Sequence, residues 1–210
     1  RDAKGAEEEL NESLRLLRTD HFDLYQLHAI TTLDDVKRAF AKGGAMETFM
    51  KAKKKGKVRY LGFSAHSEVA AHAALDRYDF DSILFPLSFP IWVKENFGPS
   101  IHKRAKEANR GVLALKAMAH QRWPKRIKRD ERPWNKTWYQ PFDDVDKVSL
   151  GLRFTCHLPA HAMIPPGHWK LFNMAVKLAQ AGALTPLNED ERELVRAIAQ
   201  ESVPIFTKRA

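Results

Sequence analysis

At 210 residues, with 44% hydrophobic and 29% charged residues, the chain is long enough for one globular domain with a sizeable core, which excludes a disordered tail or a fibrous repeat. Its single cysteine, Cys156, excludes an internal disulfide and the clustered Cys/His spacing of zinc or iron–sulfur sites, and points to a reducing, cytoplasmic setting. No apolar stretch approaches the roughly 20 residues that span a bilayer. The formal charge of +9, from 35 Lys and Arg against 26 Asp and Glu, favours anionic partners such as phosphates.

Leu10, Leu14 and Leu17 recur at helical spacing and predict a helix over Glu7 to Leu17. The apolar run DLYQL, from Asp23, then reads as a strand carrying His28 at its tip. Leu33 to Phe40 and Ala45 to Lys54 read as helix interrupted by Gly43 and Gly44, and the basic run KAKKKGK complements the dipole at the second helix's end, with Gly56 as cap. A second strand covers Val58 to His66, and Ser67 caps a helix to Leu75. Ser82 to Phe89 is a third strand, Ser100 to Ala108 a helix, and Gly111 opens a fourth strand over Val112 to Ala119. The stretch 120–144, with RWPKRIKR at its start and no periodicity, reads as a long basic surface loop. Val145 to His157 is a helix, Ala160 to His168 a fifth strand running into a Pro-Gly turn, and Trp169 to Gln180 and Asn188 to Gln200 are helices. Asn188 and Glu191 have the spacing of a capping box.

Five alternations of strand and helix predict parallel strands joined by crossover helices, apolar nearly throughout because both faces are covered. No G-x-G-x-x-G turn follows any strand, which argues against a dinucleotide-binding doubly wound sheet. The expected fold is α/β, a (β/α)8 TIM barrel, here incomplete with about five βα units. In a strand alternate residues share a face, so Leu24, Gln26 and His28 point one way, Gly62, Ser64 and His66 form a second set, and Ala114, Lys116 and Met118 a third. Polar groups thus recur at strand C-terminal ends, where barrel chemistry is done.

The series DLYQLH, GKVRYLGFSAHS, DFDSILFPLSF, GVLALKAMA and AMIPPG, in this order, resembles the aldo-keto reductases over essentially the whole chain. The resemblance implies strands four to eight of the barrel, with residues 1–210 forming a partial reductase domain that needs the missing N-terminal half. It implies an NADP(H) or NAD(H) cofactor at the C-terminal mouth and hydride transfer between nicotinamide and a small carbonyl or alcohol substrate. His28 falls on the family's catalytic histidine, which orients the substrate carbonyl. Ser64 matches the serine that holds the nicotinamide carboxamide, and the neighbouring asparagine slot falls near Ala65 and His66. The turn Ile164 to His168, including Pro166, Gly167 and His168, resembles the cofactor-phosphate site, while Lys116 reads equally as a further anion contact or as a solvated lysine on the barrel rim. The family's glutamine slot is Leu84, and its tyrosine and asparagine slots are Leu87 and Ser88. The family's tyrosine, lysine and aspartate belong to the first three strands, and Tyr25, Tyr60, Tyr78 and Tyr139 do not occupy motif positions that replace the acid.

Two other readings stand beside the reductase. One is a noncatalytic nucleotide-binding or regulatory module of the same fold. The other is a nucleic-acid-binding surface over Arg122 to Trp138, the less expected of the two, where basic residues interleave with aromatics. No membrane partner is expected.

Overall fold

The computed structural model describes residues 1–208. Its contacts divide into two compact units, residues 1–84 with 104–111, and residues 85–103 with 112–208.

In the first unit α1 (Ala3–Leu17) begins four residues earlier than its leucine stripe predicts, because the Asp2 carboxylate accepts the Gly5 N–H as an N-cap. It buries Leu10 and Leu14 but leaves Leu17 exposed. Strand β1 (Phe22–Ile30) runs two residues past His28. Then come α2 (Leu33–Phe40), α3 (Ala45–Lys54), β2 (Val58–Ala65) and α4 (Glu68–Arg77). The first is closed by a capping box between Thr32 and Asp35, and the last is capped by the Ser67 hydroxyl. Strands β1 and β2 are parallel, as are β2 and β3 (Ser82–Pro86), with Gln26, Gly62 and Ser82 in register across all three. Leu61, Phe63, Phe80 and Ile83 are essentially inaccessible and form this unit's core with the alanines of α4.

The third strand is shorter than expected, ending at Pro86 rather than Phe89. The chain there enters a π-helical turn (Pro90–Lys94) that sequence periodicity does not signal. After α5 (Pro99–Glu107), β4 (Gly111–Leu115) also stops early, because Lys116 adopts a left-handed backbone with φ of +70° and the Ala119 N–H closes a tight turn on its carbonyl. Lys116 and Met118 therefore do not continue the face of Ala114. The stretch 120–144 is not simply a loop, since β5 (Ala119–Arg122) and β6 (Tyr139–Pro141) pair antiparallel at its two ends. Helix α6 (Val145–Cys156), strand β7 (Ala162–Ile164), α7 (Trp169–Gln180) and α8 (Glu189–Glu201) complete the chain. Strand β7 covers only three of the nine residues expected of it.

The second unit's core gathers Phe89, Met118, Phe142, Val148, Leu171 and Ala199. In this unit β4 and β7 are parallel, with Leu113, Ala114 and Leu115 in register with Ala162, Met163 and Ile164. Among the described residues no helix is long and apolar enough to cross a membrane, and no cluster of His, Cys, Asp or Glu is arranged to hold a metal.

Candidate active site

The end of β1 is irregular where the sequence places its histidine. Leu27 pairs with Phe63 and Ile30 with Ala65, so β1 spends one more residue than β2 over the same span, a β-bulge at His28 and Ala29. Ala29 takes φ of +50°, unusual for a residue with a Cβ, and its N–H is held by the Ser64 hydroxyl at 2.7 Å. Strand alternation therefore stops at Leu27, and His28 is not simply the continuation of the Leu24 and Gln26 face. Its side chain is exposed.

Arg1 fastens the bulge from outside, donating to the carbonyls of His28 and Ala29 and to Asp35. Burial pushes the Asp35 carboxyl up, but hydrogen bonds from Thr31, Arg1 and Thr32 outweigh it and hold the group far below the usual carboxylate range. No sequence signal marks Arg1 or Ala29 for this role.

Ser64 is 3% exposed and uses its oxygen as an acceptor, so its own proton is left to donate. Leu84 pairs with Ser64 in register, and its half-buried side chain brings no amide there. A side-chain amide does occur one layer earlier. Gln26 Nε2 and Ser82 Oγ are buried without a hydrogen-bond partner, and a Cβ on Gly62 would lie 3.0 Å and 2.4 Å from them. Sequence reading placed Gln26 on the correct face but gave it no task. His66 is half-buried and ties its backbone N–H to the Ile30 carbonyl.

In the second unit the turn Pro166-Gly167-His168 leads into α7. His168 is the N-cap residue but makes no side-chain cap bond, so the helix's first N–H groups have no side-chain cap. A Cβ on Gly167 would meet nothing within 4 Å, and His168 Nδ1 is buried without a partner. Trp134 packs edge-on against His168 at 4.8 Å between ring centroids, and its indole N–H donates to Asp143. Open space, orphaned donors and the positive end of a helix dipole fit an anion such as a cofactor phosphate.

Lys116 lies apart from a simple anion contact. Its ammonium sits 5.4 Å and 4.9 Å from the ring centroids of Trp138 and Tyr139 and has no carboxylate partner among the described residues. Burial pushes its pKa down, against the attraction of the two ring faces. Tyr139 is itself pushed up to about 12 by burial. The loop tryptophans anchor the chain: Trp123 donates to the Thr137 carbonyl, and Trp138 packs on Tyr139 and Phe206.

The structure thus brings Ser64 to the His28–Ala29 bulge, Trp134 to His168, and Lys116 to two aromatic rings. Comparison with known structures extends these local observations. A structure of an aldo-keto reductase from Bacillus halodurans in its holo form matches with a TM-score of 0.59 and 21% identity, covering 96% of this chain and 67% of that one. A putative aldo-keto reductase from Pseudomonas aeruginosa matches with a TM-score of 0.61 and 19% identity, over 88% of this chain and 61% of that one. A glycerol dehydrogenase from Gluconobacter oxydans matches with a TM-score of 0.55 and 19% identity, over 94% and 64%. The chain therefore spans about three-fifths to two-thirds of the length of these structures. A search of curated proteins returns no match. The family model for aldo/keto reductases matches residues 2–203, and with that match over nearly its whole length the chain belongs to the aldo/keto reductase family.

Proposed function

We propose that this chain carries the cofactor-gripping side of an NAD(P)H-dependent oxidoreductase acting on a small carbonyl or alcohol, with its five βα units corresponding to units four to eight of a (β/α)8 barrel. The observation that carries this reading is the uncapped start of α7, with open space at Gly167 and an unpartnered, buried Nδ1 on His168. Gly167 and His168 hold the cofactor phosphate there through backbone N–H groups and the helix dipole, and Pro166, which has no N–H of its own, shapes the turn that presents them. Ser64, already an acceptor for the Ala29 N–H, donates its hydroxyl proton to the carboxamide oxygen of the nicotinamide. His66 borders the same group, and Lys116 adds positive charge to the anion's surroundings. When bound, the reduced nicotinamide supplies the hydride. His28 donates a hydrogen bond to the substrate oxygen, orienting the carbonyl and stabilising the charge that develops on it. A reducing, cytoplasmic setting belongs to this reading.

A second reading, a nucleotide-binding module without catalysis of its own, draws on two tyrosines. Burial pushes the hydroxyls of Tyr25 and Tyr139 up, away from the acidity a proton donor needs near neutral pH. Both readings require saturable binding of NADPH or NADH. Deuterium transfer from 4-deuterated NADPH to an aldehyde, by the natural protein that contains this sequence, separates them. The reductase reading expects transfer, with His28→Ala lowering kcat about 100- to 10,000-fold. Cofactor binding without any transfer leaves the binding module, and no cofactor binding removes both.

A further inference from the structure

A cleft of about 390 Å³ opens in the second unit, lined by helices and connecting segments rather than by any strand. Trp92, Phe154, Leu187 and Val195 supply its apolar surface. None of the residues assigned to the cofactor lines it. Protein interiors rarely leave apolar walls of this extent unfilled, because every unmade contact forfeits dispersion energy. Two polar staples hold these walls in place. Lys94, at the end of the π-helical turn that carries Trp92, donates to the carbonyls of Gln200 and Ser202 at the end of α8, both at 2.6 Å. Arg153 on α6 donates to the carbonyls of Thr185 and Pro186 at 2.8 Å and grips both oxygens of Glu191. The opening is therefore fixed by hydrogen bonds that do not depend on an occupant.

The charge of the lining is one-sided. Three arginines line the cleft and no carboxylate does. Arg153 is saturated by Glu191, and Arg196 is engaged by Glu193. Arg192 uses only its Nε, toward the Leu187 carbonyl, and its two terminal nitrogens have no protein partner among the described residues. A planar guanidinium with its fork free is built to take a carboxylate in two parallel hydrogen bonds. Beside it, Trp92 and Phe154 stand nearly perpendicular at 6.2 Å between ring centroids and offer faces to a flat apolar body. The volume falls in the range of small-molecule sites, about 300–1,000 Å³. A π-helical turn is itself a rare feature that recurs at functional sites.

We propose that this cleft is a second small-molecule site, separate from the cofactor, and that it takes a planar aromatic monocarboxylate with its carboxylate on Arg192. The test is isothermal titration of the protein with 2-naphthoate and, as the uncharged counterpart, 2-naphthalenemethanol. The acid binds about tenfold more tightly than the alcohol, as expected when one charge-assisted hydrogen-bonded pair is gained. Arg192→Gln reduces that preference to less than twofold, and Arg192→Glu, at an exposed position that leaves the fold intact, weakens the acid at least tenfold. Leu187→Trp fills the cleft and weakens both ligands at least tenfold. Gly167→Asp, on the cofactor side, changes neither affinity, so failure of the nicotinamide reading leaves this site standing. Equal affinities for acid and alcohol, acid binding indifferent to Arg192→Glu, or no binding at millimolar concentration would each overturn the proposal.

Discussion

At the scale of single residues the most consequential contact in the molecule is the hydrogen bond that the Ser64 hydroxyl accepts at the β1 bulge. It satisfies the Ala29 N–H inside a bulge whose backbone is already strained, so Ser64→Ala leaves that donor unsatisfied. Chemical denaturation of this variant is expected to show a loss of about 1–3 kcal/mol, a range set by an unpaired buried polar group. A loss within error of zero would mean that the bulge does not depend on the serine. Gly62 is the complementary case. Its absent Cβ would lie 2.4 Å from the Ser82 hydroxyl and 2.9 Å from the Ser82 carbonyl, which is backbone and cannot move aside. Gly62→Ala therefore costs about 1–3 kcal/mol by overpacking. Asp35 supplies the pH dependence. Its folded-state pKa is depressed, so the stability it contributes is present above the ordinary aspartate value near 4 and is lost as the pH falls below it. Asp35→Asn should flatten the acid side of a stability-against-pH curve between about pH 4 and 2, with little change in slope near neutrality. Alternation sets Gln26 beside Leu24 on one face of β1, but it carries that face on to His28, where the structure breaks it. It could not reveal the bulge, because an extra residue in a strand leaves the pattern of apolar and polar types almost unchanged.

Helices were more legible than strands at the scale of elements, for reasons rooted in local chemistry. Asn188 and Glu191 have a spacing that only a helix start requires, and both reciprocal bonds of the capping box are present at α8. Asn188→Ala is expected to lower the midpoint of thermal unfolding, at a cost of about 1 kcal/mol for the lost cap. Unchanged melting would place the stability of α8 in its packing alone. The strands ran short wherever an apolar run continued past the point at which the backbone turned. Leu87 and Phe89 are fully buried, and so are Ala117 and Met118, yet none is in a strand. Buried turns and buried strands read alike in hydropathy, and the deciding variable is backbone conformation, here the left-handed Lys116 and the π-helical turn after Phe89. The basic stretch 120–144 shows the converse. Its composition reads as loop, while β5 and β6 pair through a register that no periodicity announces.

For the whole molecule, family membership was readable because ordered motifs such as DLYQLH and GKVRYLGFS carry more information than any single element, and the family match over residues 2–203 agrees with them. Substrate identity was not readable, since it depends on how connecting segments fold. The seven Lys and Arg between Arg122 and Lys136 illustrate the difficulty, because Arg122 and Arg129 are spent on main-chain carbonyls and Arg132 on a carbonyl and the face of Trp123. The cofactor phosphate proposed at the start of α7 can be tested cleanly at Gly167. An aspartate there meets no steric obstacle and suits a helix N-terminus, so Gly167→Asp should leave stability unchanged while repelling an anion. The direct measurement is a fluorescence titration of NADPH with the wild-type protein and this variant. Saturable binding by the wild type, weakened at least tenfold in the variant at equal melting temperature, is the predicted result. Equal affinity in the two proteins would contradict the account, because a dinucleotide bound elsewhere would not feel the new charge.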